Sequence, residues 1–109
     1  MKTFEVTSED RGSAVHMRLS GELDISSATK VEDELARVEP GRPDVIVLDL
    51  RGLDFMDSTG LRLLIAADAR AREEGRRLTI VKGPEPVQRV FRITRLEERL
   101  ELVDDAPAA

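Results

Sequence analysis

Val45-Ile46-Val47-Leu48-Asp49-Leu50 is the stretch on which the fold turns. It is nearly all apolar and rich in β-branched residues, at odd and even positions alike. A strand of that kind has no wet face, so it reads as a central strand buried on both sides. It therefore implies a parallel neighbour and helices as cover, because parallel strands need a crossover.

The flanks supply those neighbours. Phe4-Glu5-Val6-Thr7 alternates apolar and polar, and Ala14 to Ser20 alternates again with Val15, Met17 and Leu19 on one face. Glu9-Asp10-Arg11-Gly12-Ser13 between them is a turn signal, so the two runs read as an antiparallel hairpin. His16 falls on the opposite face beside Arg18 and is expected to be solvated there. Gly21-Glu22-Leu23-Asp24 breaks the strand, and Asp24, Ser26 or Ser27 can each cap a following helix. Ala28, Val31, Leu35 and Val38 then recur at helical spacing until Pro40-Gly41-Arg42-Pro43.

Downstream, residues 52–60 read as a loop. Leu61, Leu64, Ile65 and Ala69 predict a helix running to about Glu74, with Gly75 as its C-terminal cap. Leu78-Thr79-Ile80-Val81 is another strand. Gly83-Pro84 places a proline at a first helical position, after which Val87, Val90, Phe91 and Thr94 share a face. Leu100 to Val103 reads as a short last strand. The order is ββαβαβα with a possible final β, an α/β (α+β mixed sheet) fold with helices on one face. Residues 1–103 read as a single domain and 104–109 as a frayed polar tail.

Composition narrows the chemistry. The chain has 109 residues, 40% of them hydrophobic and 36% charged, which suits a soluble globular domain. With no cysteine, thiolate catalysis and disulfides are excluded; with one histidine, so is a multi-histidine metal site. A net charge of −5 and aromatics of only 3%, all Phe, argue against direct nucleic-acid binding. No apolar run approaches the ~20 residues that span a bilayer. Met1 to Val6 carries no signal-peptide core, so a cytoplasmic location is expected.

The segment that carries chemistry is Leu53-Asp54-Phe55-Met56-Asp57-Ser58-Thr59-Gly60-Leu61. It leaves the carboxyl end of the central strand and opens a helix, the place where open α/β sheets build sites. Ser58 falls at or near the helix N-terminus, where free N–H groups and the dipole suit an anion, a phosphate included. Asp57 or Ser58 can equally be an ordinary N-cap. Phe55 and Met56 are expected to tuck beneath the loop as core. The Gly-x-Ser-x-Gly elbow of serine hydrolases is missing, as is the phosphate loop of nucleotide-binding proteins. No catalysis, cofactor or metal is expected.

Two motifs resemble the STAS domain of anti-sigma factor antagonists: Leu19-Ser20-Gly21-Glu22-Leu23-Asp24, and Leu48-Asp49-Leu50 followed by Phe55-Met56-Asp57-Ser58-Thr59-Gly60-Leu61. The resemblance covers nearly the whole chain. It implies a binding protein whose unmodified form captures an anti-sigma factor and so frees a sigma factor. It further implies that the anti-sigma factor is a serine kinase, that Ser58 is its phosphoacceptor, and that a serine phosphatase reverses the modification. Asp24, Asp57, Ser58, Thr59, Gly60 and Leu61 become the partner-binding residues by position. Arg62 stands where many members carry Gly; one helical turn beyond Ser58, it can meet either the phosphate or the partner.

Three other readings remain. Small STAS proteins also serve as subunits of membrane transport ATPases or as signalling scaffolds. A two-component receiver phosphorylated on Asp49 is a further alternative, with Glu9-Asp10 as its acidic pair and Lys82 as its lysine. The alternating run from Val15 to Leu19 argues against it, since a receiver needs a helix there.

Overall fold

The computed structural model describes residues 3–106. The opening hairpin pairs β1 (Glu5–Arg11) with β2 (Ala14–Leu23) antiparallel, Glu5 opposite Ser20 and Arg11 opposite Ala14. Glu9, Asp10 and Arg11, read from sequence as part of the turn, belong to β1. Gly12 and Ser13 make the reversal, with Gly12 at φ 75°, a conformation that suits glycine.

The chain continues through α1 (Ala28–Val38), β3 (Val45–Met56), α2 (Ser58–Glu73), β4 (Arg77–Val81), α3 (Glu85–Thr94) and β5 (Leu102–Val103). The five strands lie in sequence order, and every pair after the hairpin is parallel. Each parallel step is bridged by a helix or by a helix and a short turn. Gly75, at φ 69°, ends α2 in the left-handed conformation that a helix C-terminus favours. Pro84 is the N-cap of α3, one position earlier than the sequence suggested, and Pro86 sits in its first turn.

One face of the sheet is the core. Met17, Leu19 and Leu23 of β2, Ile46, Leu48 and Leu50 of β3, and Leu78 and Ile80 of β4 form one cluster with Val31 and Leu35 of α1, Leu64 and Ala67 of α2, and Val87 and Phe91 of α3. Burial of each large side chain here is worth roughly 1.5–3 kcal/mol. All three helices thus cover the same face.

Two strands run further than local signals allow. β2 extends through Gly21 to Leu23, and β3 extends through Gly52 to Met56, because these segments satisfy each other's backbone groups, ending at Leu23 opposite Met56. The pairing is accommodated by register shifts between Arg18 and Ser20 and between Gly21 and Glu22. Gly21 tolerates this at φ 97°, where a Cβ would lie 3.0 Å from Phe4 Cα.

The helix-free face corrects the expectation for His16. It is 3% exposed, and its Nε2 lies 3.1 Å from Asp49 Oδ2. The alternation was right about the face; what it could not show is that this face is partly covered. Asp49, also buried, accepts from Arg51 Nε at 3.0 Å and Arg51 Nη2 at 2.7 Å. Burial disfavours the Asp49 charge, but the Arg51 guanidinium and backbone N–H, with His16, outweigh it and hold the carboxyl at about 2.

At the other end, Asp104 of the expected tail meets Lys82 Nζ at 3.3 Å. Residues 107–109 of that tail, and Met1 and Lys2 of the N-terminal hexapeptide, lie outside the described residues.

Candidate functional site

β2 and β3 end side by side, so the two motifs read from sequence meet at one sheet edge. The join is a backbone bond from Asp57 N–H to Leu23 O, 3.2 Å. Asp57 then caps α2: its Oδ1 accepts from Thr59 N–H at 2.9 Å and Gly60 N–H at 3.2 Å. The choice left open in sequence is thereby decided. Asp57 is the N-cap and Ser58 the first helical residue. Relieved of capping, Ser58 is exposed and its hydroxyl makes no hydrogen bond among the described residues. It projects at the positive end of a sixteen-residue helix.

Asp24 is held by its own loop. Its Oδ1 accepts from the Ser26 hydroxyl at 2.6 Å and from Ser26 N–H at 2.9 Å. The hydroxyl, then the N–H, lowers its carboxyl below the ordinary value. Ser27 is the residue preceding α1, but its hydroxyl does not cap the helix; it donates to Glu22 O at 2.7 Å and accepts from Asp24 N–H at 3.0 Å. This clasp fixes the turn that presents Asp24. Asp24 is therefore a loop residue rather than a helix cap.

Gly60 locks the two loops together. A Cβ there would lie 2.7 Å from Met56 Cγ and 2.8 Å from Leu23 Cγ, so only glycine lets α2 descend onto the strand ends. Thr59 is half-buried, and Leu61 is only 5% exposed. Leu61 was assigned to the docking surface by position; its side chain instead packs into the core, where its helical stripe directs it. Arg62 is exposed and makes no ion pair among the described residues.

Of two exposed apolar residues at this edge, Ile25 was missed in the sequence and Phe55 was expected to be core. Ile25 is 81% exposed and Phe55 is 42% exposed. Met56 is buried as expected, whereas Phe55, next to it, points out to solvent. The available signal for Ile25 was that it lies off the Ala28–Val31–Leu35–Val38 stripe.

The receiver alternative is overturned. Asp49 is buried on the helix-free face and engaged by His16 and Arg51, seven residues before the end of β3. Glu9 and Asp10 lie within a strand. Among the described residues no group of acidic or histidine side chains could hold a metal ion.

Comparison with known proteins bears on the fold and the family. A family model described as "Mlab, STAS domain" matches residues 6–104. The chain is 26% identical over 81 residues to the anti-sigma-F factor antagonist RsfB of Mycobacterium tuberculosis, which covers 74% of this chain and 66% of that protein. It is 26% identical over 99 residues to the anti-sigma-B factor antagonist of Staphylococcus aureus, covering 91% and 90%. Among solved structures it resembles an anti-sigma factor antagonist from Mycobacterium paratuberculosis with a TM-score of 0.83 at 23% identity, covering 94% of this chain and 87% of that one. The unphosphorylated form of the anti-sigma factor antagonist SpoIIAA superposes with a TM-score of 0.75 at 22% identity, covering 94% and 90%. The structural likenesses establish the same fold, and the family match spans nearly all of the described residues: the chain belongs to the STAS domain family.

Proposed function

We propose that this chain is an anti-sigma factor antagonist that binds its anti-sigma factor through the edge carrying Asp24 and Ser58, and that phosphorylation of Ser58 switches binding off. The observation that carries the reading is the Ser58 hydroxyl, exposed and unbonded because Asp57 does the capping. The curated relatives named as anti-sigma factor antagonists support it. So does the solved phosphorylated form of SpoIIAA, whose fold this chain shares.

The partner is a serine kinase in this reading. It transfers the γ-phosphoryl group of ATP to Ser58 Oγ, the hydroxyl proton leaves, and ADP is released. This chain supplies the acceptor and the docking surface and catalyses nothing. A serine phosphatase hydrolyses the ester and restores the hydroxyl. The exchange takes place in the cytoplasm, where ATP is available; among the described residues no helix is long and apolar enough to cross a membrane.

The switch is electrostatic. Phosphate adds roughly −1.5 to −2 charge at neutral pH. The α2 N-terminus tolerates that charge, so the fold is unchanged. An interface closing over a neutral hydroxyl, with Asp24 and Asp57 already nearby, does not. A penalty of only ~3 kcal/mol weakens binding roughly a hundredfold. Ile25 and Phe55 supply apolar contact around the hydroxyl, and Arg62 reaches the partner from the next turn.

The test is binding of the purified anti-sigma factor by calorimetry, with mass spectrometry after incubation with it and ATP. Wild type and Ser58→Ala should bind alike, Ser58→Asp should lose binding with its Tm within a few degrees, and one phosphate should map to Ser58. Phosphate on Thr59, or tight binding by authentic phospho-Ser58 protein, refutes the reading. A second reading, a STAS subunit of a membrane transport ATPase or a signalling scaffold, uses the same edge without the phosphate cycle. The family model's description, "Mlab, STAS domain", names the domain and no anti-sigma factor, and this keeps the second reading beside the first. Retention of a transport ATPase in place of an anti-sigma factor, with no phosphate on Ser58, would select it.

A further inference from the structure

We propose that the helix-free face of the sheet holds a second site, a cleft centred on Arg18 that takes a small oxyanion. The cleft has a volume of about 290 Å³ and is lined by Glu5 and Thr7 of β1, Arg18 and Ser20 of β2, and Asp49, Arg51 and Gly52 of β3. All of these but Arg51 occupy two adjacent rungs: Thr7 opposite Arg18 opposite Asp49, and Glu5 opposite Ser20 opposite Gly52.

The concavity is built into the backbone. The β2–β3 register shifts between Arg18 and Ser20, in the wall of the cleft. Bulges re-aim side chains and recur beside binding sites. Gly52 leaves the floor without a side chain, since a Cβ there would lie 2.9 Å from Leu19 O and 3.1 Å from Ser20 Cβ. Any other residue would push β3 away from β2 and fill the space.

The unspent hydrogen-bonding groups select the ligand. Both oxygens of Asp49 are engaged: Oδ1 by Arg51 N–H and Nε, Oδ2 by Arg51 Nη2 and His16. Asp49 therefore orients Arg51 rather than receiving a ligand, and Nη1 of Arg51 remains for one. Arg18 is exposed and makes no ion pair among the described residues, and Ser20 and Thr7 make no side-chain hydrogen bond there. The cleft thus offers two guanidinium donors and two hydroxyls. Against them stand Glu5 on the next rung, Glu9, which interacts with Arg18 but is paired with Arg11, and Asp105, which interacts with Arg51. Guanidinium and hydroxyl donors lining one recess suit phosphate or carboxylate oxygens. The volume lies just below the usual range for drug-sized ligands, which limits the occupant to a fragment-sized phosphate ester or hydroxy acid. Nothing in this assignment depends on the Ser58 edge.

The experiment is a titration of the full ¹⁵N-labelled chain with inorganic phosphate and with glycerol phosphate, against sodium chloride at matched ionic strength. Saturable shifts are expected at the Ser20 and Gly52 amides and at Arg18 Nε with either phosphate and not with chloride. Arg18→Gln should weaken binding at least tenfold while leaving the remaining spectrum in place, and Ser58→Ala should bind as wild type does. Shifts that fail to saturate, that centre on Thr59 and Gly60, or that persist unchanged in Arg18→Gln overturn the proposal. Loss of anti-sigma binding in a separate assay bears on the Ser58 reading alone.

Discussion

Gly60→Ala sets two magnitudes against each other at the point where the two loops are joined. On helix propensity alone the change is favourable by about 1 kcal/mol, because Gly60 sits in the first turn of α2 without a positive φ. The new Cβ, however, would stand 2.7 Å from Met56 Cγ, 2.8 Å from Leu23 Cγ and 3.0 Å from Leu23 Cδ2. The Cγ atoms are branch or stem atoms close to the backbone, and Leu23 and Met56 are 0% and 1% exposed, so neither side chain can swing away. Overpacking of that kind costs ~1–3 kcal/mol. Two side chains pressed below contact distance put it at the upper end, leaving a net loss of ~2 kcal/mol after the propensity gain. For a domain near 100 residues this is roughly an 8 °C fall in Tm. Urea denaturation should show a lower midpoint with the same slope, since the surface exposed on unfolding is unchanged. The backbone relief available is a lift of the α2 N-terminus, which carries Ser58 away from Asp24, so partner binding should weaken as well. A Gly60→Ala protein as stable as wild type, or more so, would refute the packing argument and reduce Gly60 to an ordinary helical glycine.

Further outcomes follow from the same geometry. Asp57→Ala removes the cap from Thr59 and Gly60 and should cost ~1 kcal/mol, read as a lower Tm, with Ser58 still phosphorylated at a reduced rate as the first turn frays. Asp24→Asn keeps the acceptor for Ser26 and should leave Tm close to that of wild type while weakening partner binding; unchanged binding would reduce Asp24 to a loop-forming residue. The Asp49 carboxyl, held at about 2 against an ordinary 3.8, has a depressed folded-state pKa, so its contribution is present at neutral pH and lost as pH falls from about 4 to about 2. Because Arg51 is half-exposed, that contribution is roughly 1–2 kcal/mol. Asp49→Asn should lose it at pH 7, and the gap between the two proteins should close in acid, as followed by urea unfolding at several pH values.

The sequence by itself determined the layers and their order. The run from Val45 to Leu50 required a two-sided burial that only a central parallel strand gives. The i, i+3, i+4 stripes placed α1, α2 and α3 on its core side. These signals are local and periodic, so they survive in one dimension. The residues after Leu50 and after Ser20 were a different matter: Gly52 and Gly21 say loop, and only the pairing of the two segments with each other makes them strand. The same holds for the site. Asp57-Ser58-Thr59-Gly60 announced a helix start, but which residue caps it was decided by where the chain enters from β3, with Asp57 N–H on Leu23 O. His16 looked solvated because its partner, Asp49, is 33 residues away. A buried charge inside an apolar strand demands a partner, and the sequence does not say which. Burial and pairing are properties of neighbours in space, and only the tertiary structure brings Asp24, Ile25, Phe55 and Ser58 to one edge.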